Sequence, residues 1–197
     1  MKAVMKSESP RICEKVANGD CTILVSKTAP KCGLPFKCYI YCTFPKKPAY
    51  TLWLNRGTEN KFLADGKVVG EFVCDWITKI TPNCDIDGCV NQYTHGYPAI
   101  LGDNDCLSFN DMKAYLGNKK GYDWHISDLK IYDKPKELSE FYIECKEYGS
   151  DNPNCTECYY YIDGMCYEYD ESDCGCSGRK PMKKAPQSWG YCKELEK

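Results

Sequence analysis

The segment most indicative of the fold is Asn18-Gly19-Asp20-Cys21-Thr22-Ile23-Leu24-Val25-Ser26-Lys27. Asn-Gly pairs tolerate the left-handed conformation that ends helices, and the β-branched run after the pair favours a strand. Side chains on that strand should point alternately into a pocket and into a core. A ligand-binding strand of this kind is expected to present fixed charges, but Cys21, Leu24 and Ser26 occupy those positions.

The segments around this stretch predict strands interleaved with two short helices. Ser9 and Pro10 are suited to the N-cap and the first position of a helix, and Ser108 is suited to the N-cap of another. We expect helices over 10–17 and 108–116, strands over 2–5, 22–27, 37–43, 66–74 and 124–132, long loops over 44–66 and 82–105, and a returning strand or tail over 186–195.

This order of elements is typical of a small mixed β-barrel rather than a parallel doubly wound sheet. We therefore expect an α+β, mainly β fold. A change of composition after Lys134-Pro135 divides the chain into a barrel domain over 1–134 and a cysteine-rich extension over 135–197, whose last strand returns to the barrel.

Composition narrows the classes of function. A formal charge of −2 on 197 residues provides no field that would favour nucleic acid or an anionic membrane. No window approaches the ~20 apolar residues of a membrane span, and the N-terminal residues have no signal-peptide pattern. We expect a cytoplasmic protein with no membrane partner. In that compartment its 16 cysteines should be thiols or metal ligands rather than disulfides.

Several motifs together resemble one family. These are Ser7-x-x-Pro10-x-x-Cys13 followed by Gly19-x-x-Thr22-x-x-Val25, a Gly-x-Val-x-Gly-Glu strand, a capped helix and a Trp-His-Ile-Ser strand. They resemble the ASCH domain, a β-barrel family similar to the PUA RNA-binding domains. The resemblance is greatest to ASCH proteins of bacteriophages and Firmicutes, and it extends to the Ala-Pro-Gln-Ser-Trp segment near the C-terminus. It implies a protein of the bacterial host cytoplasm.

The chain departs from the family pattern Gly-x-Lys-Thr-x-Glu-x-Arg at the positions that carry chemistry. Cys21 replaces the lysine, Leu24 the glutamate and Ser26 the arginine, while Ser9 replaces an upstream arginine. Some family members resemble amidohydrolases of acetylated cytidine that use this lysine, a threonine and an acid, for which Asp105 is a counterpart here. Leu24 can neither move a proton nor act as a nucleophile.

These replacements favour a non-catalytic binding protein over an enzyme. The resemblance implies RNA or a modified nucleotide as the ancestral ligand, and the altered pocket indicates a changed ligand or a protein partner. A phage-encoded inhibitor of a bacterial defence system, such as an anti-CRISPR protein, is a second hypothesis. A residual N-acyl-nucleoside amidohydrolase using Cys21 is a third. The candidate pocket residues are Ser9, Arg11, Cys21, Thr22, Ser26 and Asp105.

The cysteines of the extension predict a structural zinc site. A Cys-x2-Cys pair presents two thiolates from one turn, and zinc takes four such ligands in a tetrahedron. Such a site would fold a segment that has little apolar core. Disulfides and free thiols are the alternatives. The predicted ligands are Cys145, Cys155, Cys158 and Cys166, with Cys174 and Cys176 as alternates.

Overall fold

The computed structural model describes residues 3–45, 52–55, 61–85, 87–96, 106–144 and 179–194. Two α-helices occur in these ranges, α1 over Pro10–Asn18 and α2 over Phe109–Leu116, together with a short 3-10 helix over Leu138–Glu140. The strands are β1 Ala3–Glu8, β2 Ile23–Ser26, β3 Phe36–Cys42, β4 Trp53–Asn55, β5 Lys61–Leu63, β6 Val68–Cys74, β7 Ile77–Cys84, β8 Val90–His95, β9 Gly121–His125, β10 Ser127–Lys136, β11 Phe141–Glu144, β12 Arg179–Pro181 and β13 Trp189–Glu194.

The strands form two main sheets. The first sheet has the order β10-β6-β3-β1-β13-β11-β12, in which β1 and β3 are parallel and the other neighbours are antiparallel. The second sheet has the order β2-β9-β7-β8 and is antiparallel, and β4 and β5 form a separate pair. The C-terminal strand β13 therefore pairs directly with the N-terminal strand β1.

The largest apolar core contains side chains from both sheets, among them Val4 of β1, Phe72 of β6, and Leu24 and Trp124 of the second sheet. Side chains on the other face of the first sheet, including Phe141 of β11, form another core, and α2 packs with the second sheet in a third. Burying these side chains supplies the main favourable free energy of folding. Both faces of the first sheet therefore carry apolar side chains that are buried in a core.

Both helices end and begin where their sequences predict. Gly19 caps α1 with a φ of 80°, the left-handed conformation in which glycine is unstrained. Ser108 caps α2, because its Oγ accepts a hydrogen bond from the backbone N–H of Asp111 at 3.2 Å. The buried positions Pro10, Cys13 and Val16 of α1 lie three residues apart and form its apolar face.

The mainly β, α+β class is confirmed, but four details differ from expectation. The loop expected over 44–66 contains β4 and β5, which pair with each other as antiparallel strands. In the described ranges the strands form separate sheets and no closed barrel. The strand expected over 124–132 is two strands, because the chain crosses from the second sheet to the first at Ile126. The loop expected over 82–105 contains the end of β7 and all of β8, which pair as a hairpin. No helix in the described part of the chain is long and apolar enough to cross a membrane.

Candidate functional site

A buried ion pair on β1 lies where the two sheets face each other. Val4, Lys6 and Glu8 alternate along β1, so they share the face that carries the core between the sheets. Lys6 is only 1% exposed, and its Nζ lies 2.7 Å from Oε1 of Glu8. A lysine is almost never buried so fully unless its charge is paired. The Glu8 carboxylate supplies that partner.

Lys6 also connects the two sheets. Its Nζ donates a hydrogen bond to the backbone carbonyl of Val25 on β2 at 3.3 Å, and it lies 5.2 Å from the ring centroid of Trp124 on β9. Burial lowers the pKa of Lys6, but the Glu8 carboxylate outweighs this effect and the net pKa lies above the ordinary 10.5. The ammonium therefore stays charged at neutral pH, and in that state it can act as neither a nucleophile nor a general base.

A cavity of about 250 Å³ opens beside this ion pair. Its walls come from β1, the start of α1, β2, the segment before α2, the end of α2 and the segment before β13, so six parts of the chain converge on it. This volume lies just below the ~300–1,000 Å³ of drug-sized pockets. It can take a group the size of a nucleobase. The residues that line the cavity include Lys6, Glu8, Ser9, Leu24, Tyr115 and Gln187.

One wall of the cavity is held by a disulfide. Cys21, two residues before β2, is bonded to Cys106, which lines the cavity, and their Cα atoms are 5.1 Å apart. That spacing lies within the ordinary range for a disulfide. Both residues are buried. The prediction of a thiol at Cys21 is therefore wrong for this structure. The positions of the cysteines along the chain do not indicate that Cys106, 85 residues away, approaches Cys21 in the fold.

The candidate pocket residues occupy different places. Ser9 lines the cavity at the N-cap of α1. The Arg11 side chain is 66% exposed and lies 3.9 Å from Asp111 of α2, outside the cavity lining. Thr22 accepts a hydrogen bond on its backbone carbonyl from Ile126 N–H at 2.8 Å. Ser26 is fully buried, and its Oγ has no hydrogen-bond partner among the residues that the structure describes.

The remaining predicted site residues cannot be placed. Asp105 lies outside the described residues, as do the cysteines predicted to bind zinc, Cys145, Cys155, Cys158 and Cys166 with the alternates Cys174 and Cys176. Among the residues that the structure does describe, no group of three or more His, Cys, Asp or Glu side chains could hold a metal ion.

A second polar cluster lies in the second sheet. The carboxylate of Asp123 on β9 is 2% exposed, and its Oδ2 lies 2.5 Å from Nδ1 of His95 and accepts a hydrogen bond from Thr78 at 3.4 Å. Its Oδ1 is buried and has no hydrogen-bond partner within the described ranges. This arrangement fixes the orientation of the His95 ring.

Sequence reasoning missed Lys6, Glu8 and the His95–Asp123 contact. Charged residues two apart on a strand normally indicate a solvent-facing side, so Lys6 and Glu8 gave no sign of burial. The sequence carries one weak indication that they are buried: Lys6 and Glu8 lie two and four residues after the apolar Val4, so all three side chains point to the same face of the strand. His95 and Asp123 are 28 residues apart and carried no motif.

No protein-family model and no curated protein sequence matches the chain. Three crystal structures are similar to it, all of ASCH from Zymomonas mobilis. A tyrosine-to-phenylalanine mutant has 14% identity and a TM-score of 0.47, covering 100% of this chain and 92% of its own. The unmutated protein has 17% identity and a TM-score of 0.44, covering 70% of this chain and 74% of its own. A serine-to-alanine mutant has 14% identity and a TM-score of 0.46, covering 100% of this chain and 89% of its own. With identities and TM-scores this low, the similarity carries no conclusion about ligand or chemistry.

Proposed function

We propose that this chain is an ASCH-type, PUA-like binding protein that takes RNA or a modified nucleotide into the cavity beside Lys6 and does not transform it. The observation that carries the proposal is a buried, charged lysine paired with a carboxylate at the wall of a nucleobase-sized cavity. The motifs around Gly19 and Thr22 support the family assignment.

The ion pair supports a polar ligand. An ammonium has three N–H donors, and those of Lys6 have two acceptors among the described residues, the Glu8 carboxylate and the Val25 carbonyl. Glu8, whose carboxylate can accept further hydrogen bonds, lines the same cavity. A donor and an acceptor placed side by side match the edge of a nucleobase, which presents both kinds of group.

The same residues argue against catalysis. The sulfur of Cys21 is bonded to Cys106 and cannot attack a carbonyl. Lys6 is protonated at neutral pH, because its pKa lies above 10.5. Leu24, which lines the cavity at the position of the family glutamate, has no group that could move a proton.

A binding assay with a cavity-blocking variant tests the proposal. Gln187 lines the cavity and is exposed, so Gln187→Trp should fill the cavity mouth without disturbing the core. Asn91→Trp on the edge strand β8, exposed and outside the cavity lining, is the matched control. We expect the wild type and Asn91→Trp to bind short single-stranded RNA or a modified nucleotide in fluorescence polarisation, and Gln187→Trp to lose at least tenfold in affinity.

Three results would contradict the proposal. Equal affinity of the Gln187 and Asn91 variants would place the ligand elsewhere. Release of acetate from acetylated cytidine in a Cys21-dependent reaction would restore the hydrolase hypothesis. Failure of the wild type to bind any RNA or nucleotide would overturn the proposal and favour the hypothesis of a protein inhibitor.

The zinc site of the extension remains a separate proposal. It is supported by the Cys155-x2-Cys158 spacing and by the further cysteines around it. Four thiolates would complete the coordination of the ion, so the role of the metal would be to fold the segment.

A further inference from the structure

Two lysines, Lys15 and Lys27, contact residues that line the cavity. Nζ of Lys15 on α1 donates a hydrogen bond to the backbone carbonyl of Cys106 at 2.9 Å, and Cys106 lines the cavity. Nζ of Lys27, just after β2, lies 4.7 Å from the ring centroid of Tyr115, which also lines the cavity. Neither lysine forms an ion pair with any residue that the structure describes.

The charge inside the cavity differs from the charge at its edge. Inside, Lys6 and Glu8 neutralise each other at 2.7 Å. A phosphate group placed there would meet the Glu8 carboxylate and would have to lose its own hydration, which is costly in a buried site. At the edge, neither ammonium group forms an ion pair with a described residue, and Lys27 is exposed to solvent. The charge of Lys15 also acts on Asp111, whose pKa is lowered by a hydrogen bond from Ser108 and by the charges of Arg11 and Lys15. The interior thus suits a neutral group, and the edge suits an anionic one.

Single-stranded RNA combines these two kinds of group, because each neutral base lies between charged phosphates. Proteins that bind single strands use cations for the backbone and aromatic rings for the bases. Lys27 and Tyr115 bring a cation and an aromatic ring together at the cavity edge. A free nucleoside would fill only the interior and leave both lysines without an anionic partner.

We propose that the ligand is a segment of single-stranded RNA, with one base in the cavity beside Lys6 and Glu8 and the flanking phosphates on Lys15 and Lys27. This inference rests on the proposed function, since it specifies which form of nucleic acid the same cavity takes. Lys27 is then an affinity-determining residue that the free nucleoside does not need.

The test compares three probes of increasing charge: the four ribonucleosides, their 5′-monophosphates, and single-stranded oligoribonucleotides of mixed sequence. Each is titrated into the full chain by calorimetry or fluorescence polarisation at several salt concentrations. The variants are Lys27→Gln, Tyr115→Leu and the control Lys130→Gln, which removes one charge from the exposed side of β10. Lys27 is exposed, so its variant should fold normally.

We expect the oligonucleotide to bind at least tenfold more tightly than the nucleosides. A phosphate contact on single-stranded nucleic acid contributes about −0.7 to the slope of log affinity against log salt, which corresponds to about fivefold in affinity near 0.1 M salt. Lys27→Gln should therefore weaken oligonucleotide binding about fivefold and reduce the slope by about 0.7, with nucleoside binding unchanged. Tyr115→Leu should weaken oligonucleotide binding about tenfold. Lys130→Gln should change neither.

Failure of this inference is distinguishable from failure of the proposed function. Nucleosides or mononucleotides that bind as tightly as the oligonucleotide, with no effect of Lys27→Gln, would overturn the RNA inference and leave the cavity as a nucleotide site. Equal effects of Lys27→Gln and Lys130→Gln would also overturn it, because the loss would then reflect net charge alone. Absence of binding by all three probes would overturn both proposals.

Discussion

Removing Lys6 should destabilise the protein through the charge that it leaves behind. Lys6→Met keeps the length and apolar stem of the side chain but deprives the Glu8 carboxylate, whose side chain is 11% exposed, of its partner at 2.7 Å. Coulomb attraction at that distance is about 6 kcal/mol at an effective dielectric constant of about 20, and desolvation of the two ions offsets much of it. Breaking such a buried pair costs about 3–5 kcal/mol.

A double-mutant cycle measures the interaction itself. We expect Lys6→Met to lower the free energy of unfolding in urea by about 3–5 kcal/mol, and the added Glu8→Gln change to recover part of it, giving a coupling energy of about 1–3 kcal/mol. The matched control is Lys37–Glu71 on the same sheet, 3.3 Å apart but with side chains 39% and 19% exposed. That pair should couple by less than about 1 kcal/mol.

The pH dependence adds a second check. Because the pKa of Lys6 is raised above 10.5, its contribution to stability is fully present below that pH and is lost only as pH rises through the higher folded-state pKa. The difference between the wild type and Lys6→Met should therefore persist through neutral pH. If the Lys6–Glu8 coupling energy is no larger than that of Lys37–Glu71, burial does not strengthen the Lys6–Glu8 ion pair.

Three further predictions concern other parts of the molecule. Burial raises the pKa of Glu71, but its hydrogen bond from Tyr132 and its contact with Lys37 bring the net pKa below 4.5. The difference in stability between the wild type and Glu71→Gln should therefore be present above pH 4.5 and shrink as pH falls through the lowered pKa. Thermal melting at a series of pH values measures this difference. His95→Ala should cost about 2–3 kcal/mol in urea unfolding, because the buried Asp123 carboxylate loses its ring partner; a cost near zero would contradict this. Purified protein should contain about one zinc ion per chain by elemental analysis, and replacing the Cys-x2-Cys pair of the extension by serines should remove it; full metal content in that variant would exclude the pair as ligands.

Local rules predicted the helices and several strands well. The end of α1 at Asn18-Gly19 and the start of α2 at Ser108 depend on interactions between residues a few positions apart, which a single sequence displays. The break of the 124–132 strand at Ile126 was not predictable in this way. Alternation of side chains continues through the break, and only the partner strands show that the chain changes sheets there.

The candidate site was harder to predict because its parts are distant along the chain. The cavity combines β1 with residues 187 and 188, and its disulfide joins Cys21 to Cys106. A single sequence gives no distance between such segments. The burial of Lys6 depends on the facing carbonyl of Val25 as well as on Glu8, so no local pattern distinguishes it from an exposed strand lysine.

NMR can test directly whether RNA binds in the cavity beside Lys6, because it locates the bound ligand on the protein. Backbone and side-chain chemical shifts of the full chain are followed during titration with a short single-stranded RNA. The cavity hypothesis predicts the largest changes at Leu24, Val25, Tyr115 and Ser188, which line it from separate parts of the chain. Large changes confined to surfaces outside the cavity, with these four residues unmoved at saturation, would contradict the account.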